Sequence, residues 1–151
     1  MADAVAVITL NTDMADLWSF MQDVDRWAPL FQGYKEHEQT GADEYRWRVT
    51  GKVGMISRTV DLKVVVTRFE PPSLVEFTLA GITENISGTG LLRAVRQEPG
   101  DGVELTFRLN MKAGGAVGPM INAHLKPALK SMTEHLLHGI QQEIESNRRL
   151  C

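Results

Sequence analysis

The sequence predicts an α+β fold in which one curved, seven-stranded antiparallel sheet is crossed on its concave face by a long C-terminal helix. Three observations carry that expectation. From about Phe31 to Met111 the apolar residues alternate with period two or run continuously, cut at Gly41-Ala42-Asp43, Pro71-Pro72-Ser73, Gly81 and Pro99-Gly100-Asp101-Gly102. After Pro119 the spacing changes to three and four. A short helical interval separates the first apolar run from this meander, so the order is β-α-α-β6-α, with helices on a single face of the sheet.

Each element has its own local reason. Ala4 to Leu10 is short and rich in β-branched residues, which suits a first strand. Asn11-Thr12-Asp13 offers N-caps, and Leu17, Trp18, Phe20, Met21 and Val24 follow at helical spacing. A second helical turn holds Asp25-Arg26-Trp27, and Pro29 is expected to close it. The meander divides into strands 32–40, 44–53, 56–70, 74–80, 86–97 and 102–112, joined by connections short enough for antiparallel neighbours.

Pro119 suits the first position of the final helix, where its missing N–H costs nothing. Ile121, Leu125, Ala128, Leu129, Met132, Leu136, Ile140 and Ile144 then form one apolar face, opposite Lys126, Lys130, Glu134, Gln141 and Glu145. Pro127 removes the hydrogen bond to the carbonyl of Ala123, which predicts a kink there.

Composition excludes several functions. The chain has 151 residues, a formal net charge of −3 and no Lys/Arg cluster beyond Arg148-Arg149, so it lacks the basic stripe of a nucleic-acid-binding protein. Cys151 is the single cysteine, and His37, His124, His135 and His138 do not fall at ligand spacing, so neither a disulfide nor a metal is expected, and no cofactor is called for. A reducing cytoplasm fits. No signal-like or membrane-spanning apolar run is present. Without repeats, low-complexity segments or linkers, residues 1–151 read as one domain, long enough to bury roughly two-thirds of its unfolded surface.

The segment order, the Trp27-Ala28-Pro29 turn, the Val49–Gly54 strand entering Gly54-Met55-Ile56, the Pro71-Pro72 hairpin, the Gly88-Thr89-Gly90 strand and the Pro127 helix resemble the SRPBCC (START-like, helix-grip) superfamily. Within it the chain is most similar to two branches, the G-type subunit of carbon monoxide dehydrogenase (CoxG) and the polyketide cyclase/dehydrase-like proteins. It departs from them in reading Leu30-Phe31-Gln32-Gly33 where a Pro-Gly pair is usual. The resemblance implies a helix-grip fold with an apolar pocket between sheet and helix. It also implies three roles: carriage of a lipid, quinone or polyketide-like aromatic; cyclase, aromatase or dehydratase chemistry; or accessory work beside a molybdenum hydroxylase. A co-chaperone-like module would use an exposed apolar patch instead.

Residues that could serve such a pocket are named with their plainer alternatives. Gly88 and Gly90 lose their side chains on one strand face, either to bend the sheet or to admit something close. Trp27, Phe31, Trp47, Phe77, Phe107, Met111, Met120 and Met132 are bulky groups that either line the space or fill the core, with Trp27 and Phe31 placed at the helix-to-strand junction. Arg58 shares a face with Ile56, Val60, Leu62, Val64 and Val66, so it anchors a ligand oxygen, reaches solvent, or pairs with Glu76 or Asp61. His124 is either a proton donor beside Met120 or a surface residue. For an enzyme, Arg58 and His124 are the catalytic candidates.

Three further features carry less. Glu36-His37-Glu38 reads as an edge or an exposed face. The Gly114-Gly115-Ala116-Val117-Gly118 loop reads as a gate or an ordinary connection. Ser57, Ser73, Ser87 and Ser131 show no triad arrangement. A hydrophobic small molecule is the expected partner; nucleic acid is not, and a transient membrane or protein partner and a homodimer stay open.

Overall fold

The computed structural model describes residues 2–53, 55–82, 84–97, 102–116 and 118–150; Met1, Gly54, Thr83, Glu98, Val117, Cys151 and Pro99-Gly100-Asp101, where a break between strands is expected, lie outside the described residues. The chain runs β1 (Ala2–Leu10), α1 (Met14–Met21), α2 (Val24–Trp27), a 3-10 turn (Ala28–Leu30), β2 (Tyr34–Gln39), β3 (Glu44–Val53), β4 (Ile56–Glu70), β5 (Leu74–Gly81), β6 (Ile86–Arg96), β7 (Val103–Ala113) and α3 (Gly118–Leu150). The seven strands form one antiparallel sheet in the order β1-β7-β6-β5-β4-β3-β2. This is the α+β helix-grip architecture that the residue pattern predicts.

The helical interval after β1 has a topological task. β1 lies beside β7, whereas β2 lies at the opposite edge, so α1 and α2 carry the chain from one edge of the sheet to the other. Asp13 caps α1 by accepting from the Asp16 amide at 2.8 Å, and Asp23 caps α2 through the Asp25 amide at 3.1 Å. Pro29 does not stop the chain outright. It sits inside the 3-10 turn, where a fixed φ and a missing donor are tolerated at the start of a short turn.

Register irregularities at Tyr34/Glu36 in β2 and Val66/Arg68 in β4 increase twist and bend the sheet around α3. The helix continues through Pro127, which lies on its exposed side. Leu125, Leu129, Leu136, Ile140 and Ile144 are buried beneath it, as the spacing predicts, and each such side chain contributes roughly 1.5–3 kcal/mol. α3 packs mainly on β1 and β7 and touches β3 only lightly. Asn122 pins its first turns to the end of β7, accepting from the Ala113 amide and donating to the Ala113 carbonyl, both at 2.8 Å.

The outer face of the β2-β3-β4 half is polar. Arg46 bonds Glu38 at 2.9 Å and Glu36 at 3.1 Å, and Arg48 bonds Asp61 at 2.9 Å. The guanidinium of Arg48 holds the Asp61 carboxyl below its ordinary value, and the hydrogen bonds that Arg46 donates to Glu38 and Glu36 raise its own.

Candidate functional site

A cavity of about 580 Å³ opens between α3 and the β3-β4 side of the sheet. Its origin is a difference in side-chain size along the concave face. Near α2, the gap is filled by an aromatic cluster in which Phe31 stacks edge-on against Trp47 at 4.9 Å between ring centres. Trp27 lies 5.6 Å from both Trp47 and Phe77, and Phe31 lies 5.8 Å from Phe107. Toward the first turns of α3 the facing residues are smaller: Val49 and Gly51 on β3, Val60 and Leu62 on β4, Ala113 on β7, and Ile121, Leu125, Ala128 and Leu129 on α3. These cannot meet across the curved sheet. Because α3 leans on β1 and β7, the space over β3 and β4 stays open.

Closed apolar voids cost about 24 cal/mol per Å³. This cavity is open to solvent, so its cost is that of leaving apolar wall in water, roughly 25 cal/mol per Å², which a guest molecule would relieve. Its volume lies inside the roughly 300–1,000 Å³ range of small-molecule sites. Gln32 and Ser131 join across the mouth by a 3.0 Å hydrogen bond that straps the loop before β2 to α3. Gly33, also in the wall, has φ +82°, and a Cβ there would fall 1.9 Å from the Thr50 carbonyl oxygen, so glycine is required at this junction.

The residues named from sequence separate into four groups. Arg58, Met111, Met120 and Met132 line the cavity. Trp27, Phe31, Trp47, Phe77 and Phe107 do not; all five are buried in the aromatic core beside it. Gly88 and Gly90 admit close approach of the protein's own backbone and side chains. A Cβ at Gly90 would lie 2.2 Å from the Phe77 ring, and one at Gly88 would lie 2.2 Å from the Asn110 carbonyl oxygen and 2.8 Å from Met111 Cγ. His124 is exposed on α3 and outside the wall, so Arg58 and His124 are not brought together there.

Two polar expectations are corrected. Arg58 pairs with Glu84 at 3.3 Å rather than with Glu76 or Asp61, because the β5–β6 connection brings Glu84 to the start of β4. Asp61 faces outward to Arg46 and Arg48, and Glu76 faces Arg68. β2 is an edge strand with Glu36 and Glu38 exposed, but His37 is not exposed with them. The β2 irregularity turns it inward, where its ring meets the Tyr34 hydroxyl at 2.6 Å and Asp25 at 2.7 Å. Burial raises the Tyr34 phenol above its ordinary value. This chain of bonds ties β2 to α2 behind the aromatic cluster.

Sequence reasoning missed Lys35, Gly51 and Glu84 in the wall. Glycine in the interior of β3 was the signal available for Gly51. Among the described residues no group of three His, Cys, Asp or Glu is placed to hold a metal. No helix among them is long and apolar enough to cross a membrane.

Known structures share this architecture. A conserved protein from Geobacillus kaustophilus superposes with a TM-score of 0.76 at 19% identity, covering 95% of each chain. The Zhui aromatase/cyclase from Streptomyces sp. R1128 gives 0.68 at 16% identity, covering 99% of this chain and 95% of its own. A START superfamily protein from Mycobacterium smegmatis gives 0.66 at 17%, covering 95% and 97%. At these identities the likeness shows the fold. No curated protein matches the sequence. The model of the CoxG family, the G-type subunit of carbon monoxide dehydrogenase, matches residues 8–145, nearly the whole length, and on that match the chain belongs to the CoxG family.

Proposed function

We propose that this chain binds or carries a hydrophobic small molecule, a lipid, a quinone or a polyketide-like aromatic, in the cavity between the sheet and α3. The observation that carries the reading is the mostly apolar space of about 580 Å³ left open beside a densely packed aromatic core. A chain that fills one half of the same face so tightly has the residues to fill the other. Membership of the CoxG family supports a place beside a molybdenum hydroxylase. Within this proposal residues 1–151 act as one domain in the cytoplasm.

The likeness to an aromatase/cyclase raises an enzymatic alternative. Binding is favoured over it because the proton donor suggested by sequence, His124, is exposed and outside the cavity wall. The test is native mass spectrometry of freshly purified protein, combined with titration by an apolar fluorophore. The reading expects either a co-purifying small molecule or saturable uptake of the probe. A protein that carries nothing and takes up no probe contradicts it.

A further inference from the structure

Gly51 is a glycine that the protein itself does not require. It lies inside β3, where glycine weakens a strand, and its φ is not in the left-handed region. A Cβ built at Gly51 would meet nothing within 4 Å, whereas at Gly33, Gly88 and Gly90 it would strike protein atoms. Gly51 is also part of the cavity wall. Gly51 is exposed at the rim, and no side chain of the described residues fills the open space above it.

Charge surrounds that space asymmetrically. Arg58 on β4 is the register partner of Gly51. On the other side, β2 is joined to β3 by the bond from the Thr50 amide to the Gly33 carbonyl, and Lys35 follows two residues later. By the register of β2 on β3, Lys35 stands at the irregularity between the partners of Val49 and Arg48, so the two cations lie on either side of β3, with Arg58 level with Gly51 and Lys35 further along the strand. The charged side chains in the wall are Lys35, Arg58 and Glu84. Glu84 is bonded to Arg58, and among the described residues Lys35 has no ion-pair partner. The mouth thus carries a net positive charge in a chain whose total is −3. Beyond it the wall is apolar.

We propose that the cavity takes a single-tailed amphiphile with an anionic head, a long-chain carboxylate being the simplest, with its head over Gly51 between Lys35 and Arg58 and its tail under α3. This rests on the ligand-binding reading above and narrows it to a ligand class. The flexible stems of Lys35 and Arg58 let their charges close on a head group at the mouth. Charge-assisted hydrogen bonds would then favour an ionised head over a neutral one of the same length.

The experiment loads the protein with Nile red, a neutral apolar dye, and displaces it with palmitate, methyl palmitate or hexadecanol below their aggregation limits. Palmitate is expected to displace the dye at about tenfold lower concentration than either neutral analogue. Lys35→Met should bring that ratio toward one. Lys63→Met, which removes an outer-face partner of Glu44, should leave it unchanged. Gly51→Leu, whose side chain enters open space, should keep its thermal midpoint while needing about tenfold more palmitate. Dye uptake with equal displacement by all three analogues overturns this proposal and leaves the cavity reading standing. So does an undiminished preference in Lys35→Met, or unchanged palmitate binding in Gly51→Leu. Absence of dye uptake by the wild type removes both.

Discussion

Trp27 and Trp47 show how two like residues in one cluster acquire different energetic roles. The Trp27 indole N–H donates to the Met21 carbonyl at 2.8 Å and so holds the end of α1 against the core. Trp47 Nε1 is buried with no hydrogen-bond partner among the described residues. Replacing Trp27 by Phe leaves a carbonyl unsatisfied, at a cost of about 1–3 kcal/mol beyond the lost ring volume. Replacing Trp47 by Phe removes an unpaired donor, which offsets part of the same volume loss. Urea unfolding should therefore show Trp27→Phe destabilised by at least about 1 kcal/mol more than Trp47→Phe. Equal losses would contradict this division of roles.

At the scale of the element, the β2-β3-β4 half of the sheet is held on its outer face by charge and on its inner face by aromatic packing. Asp61 is the junction of the outer network, and its carboxyl is lowered mainly by the hydrogen bond from Arg48. A carboxyl depressed in the folded state contributes stability above its unfolded value, near about 3.9, and loses it as pH falls through the folded value. Asp61→Asn is accordingly expected to be less stable than wild type at neutral pH, with the difference narrowing on acidification and vanishing below the folded value. A difference independent of pH would place the role of Asp61 in packing. Because both groups are solvent-accessible, high salt should also shrink it.

For the whole molecule, much of the fold is legible in the residues, because the period of apolar positions changes where the element type changes. The β3 and β4 boundaries at 44–53 and 56–70 coincide with expectation, and α3 buries the predicted stripe through Leu125, Leu129, Leu136, Ile140 and Ile144. The site was harder to read. Alternation identifies which residues face inward, and Trp47, Val49 and Gly51 do so together, yet it does not say where facing groups are large enough to meet. The aromatic residues most conspicuous in the sequence fill their space, so they mark where the cavity ends. Its wall is built from smaller residues and from Lys35 and Glu84, brought in by the β2 irregularity and the β5–β6 connection. Arg58, Met111 and Met120 were visible because their strand or helix faces were sound; the close approach expected at Gly88 and Gly90 comes from the Asn110 carbonyl, Met111 and the Phe77 ring, groups of the protein itself.

The central claim is that the space under α3 holds a guest. Ala128 lies half-buried in its wall, on the α3 face opposite β3 and β4, so a large side chain there would occupy the cavity without entering the packed aromatic core. The measurement is Nile red binding by wild type and by Ala128→Trp, each checked for thermal stability. The wild type should bind the dye saturably, and Ala128→Trp should lose that binding while unfolding at no lower temperature. Equal uptake by a folded Ala128→Trp, or no uptake by the wild type, would contradict the account.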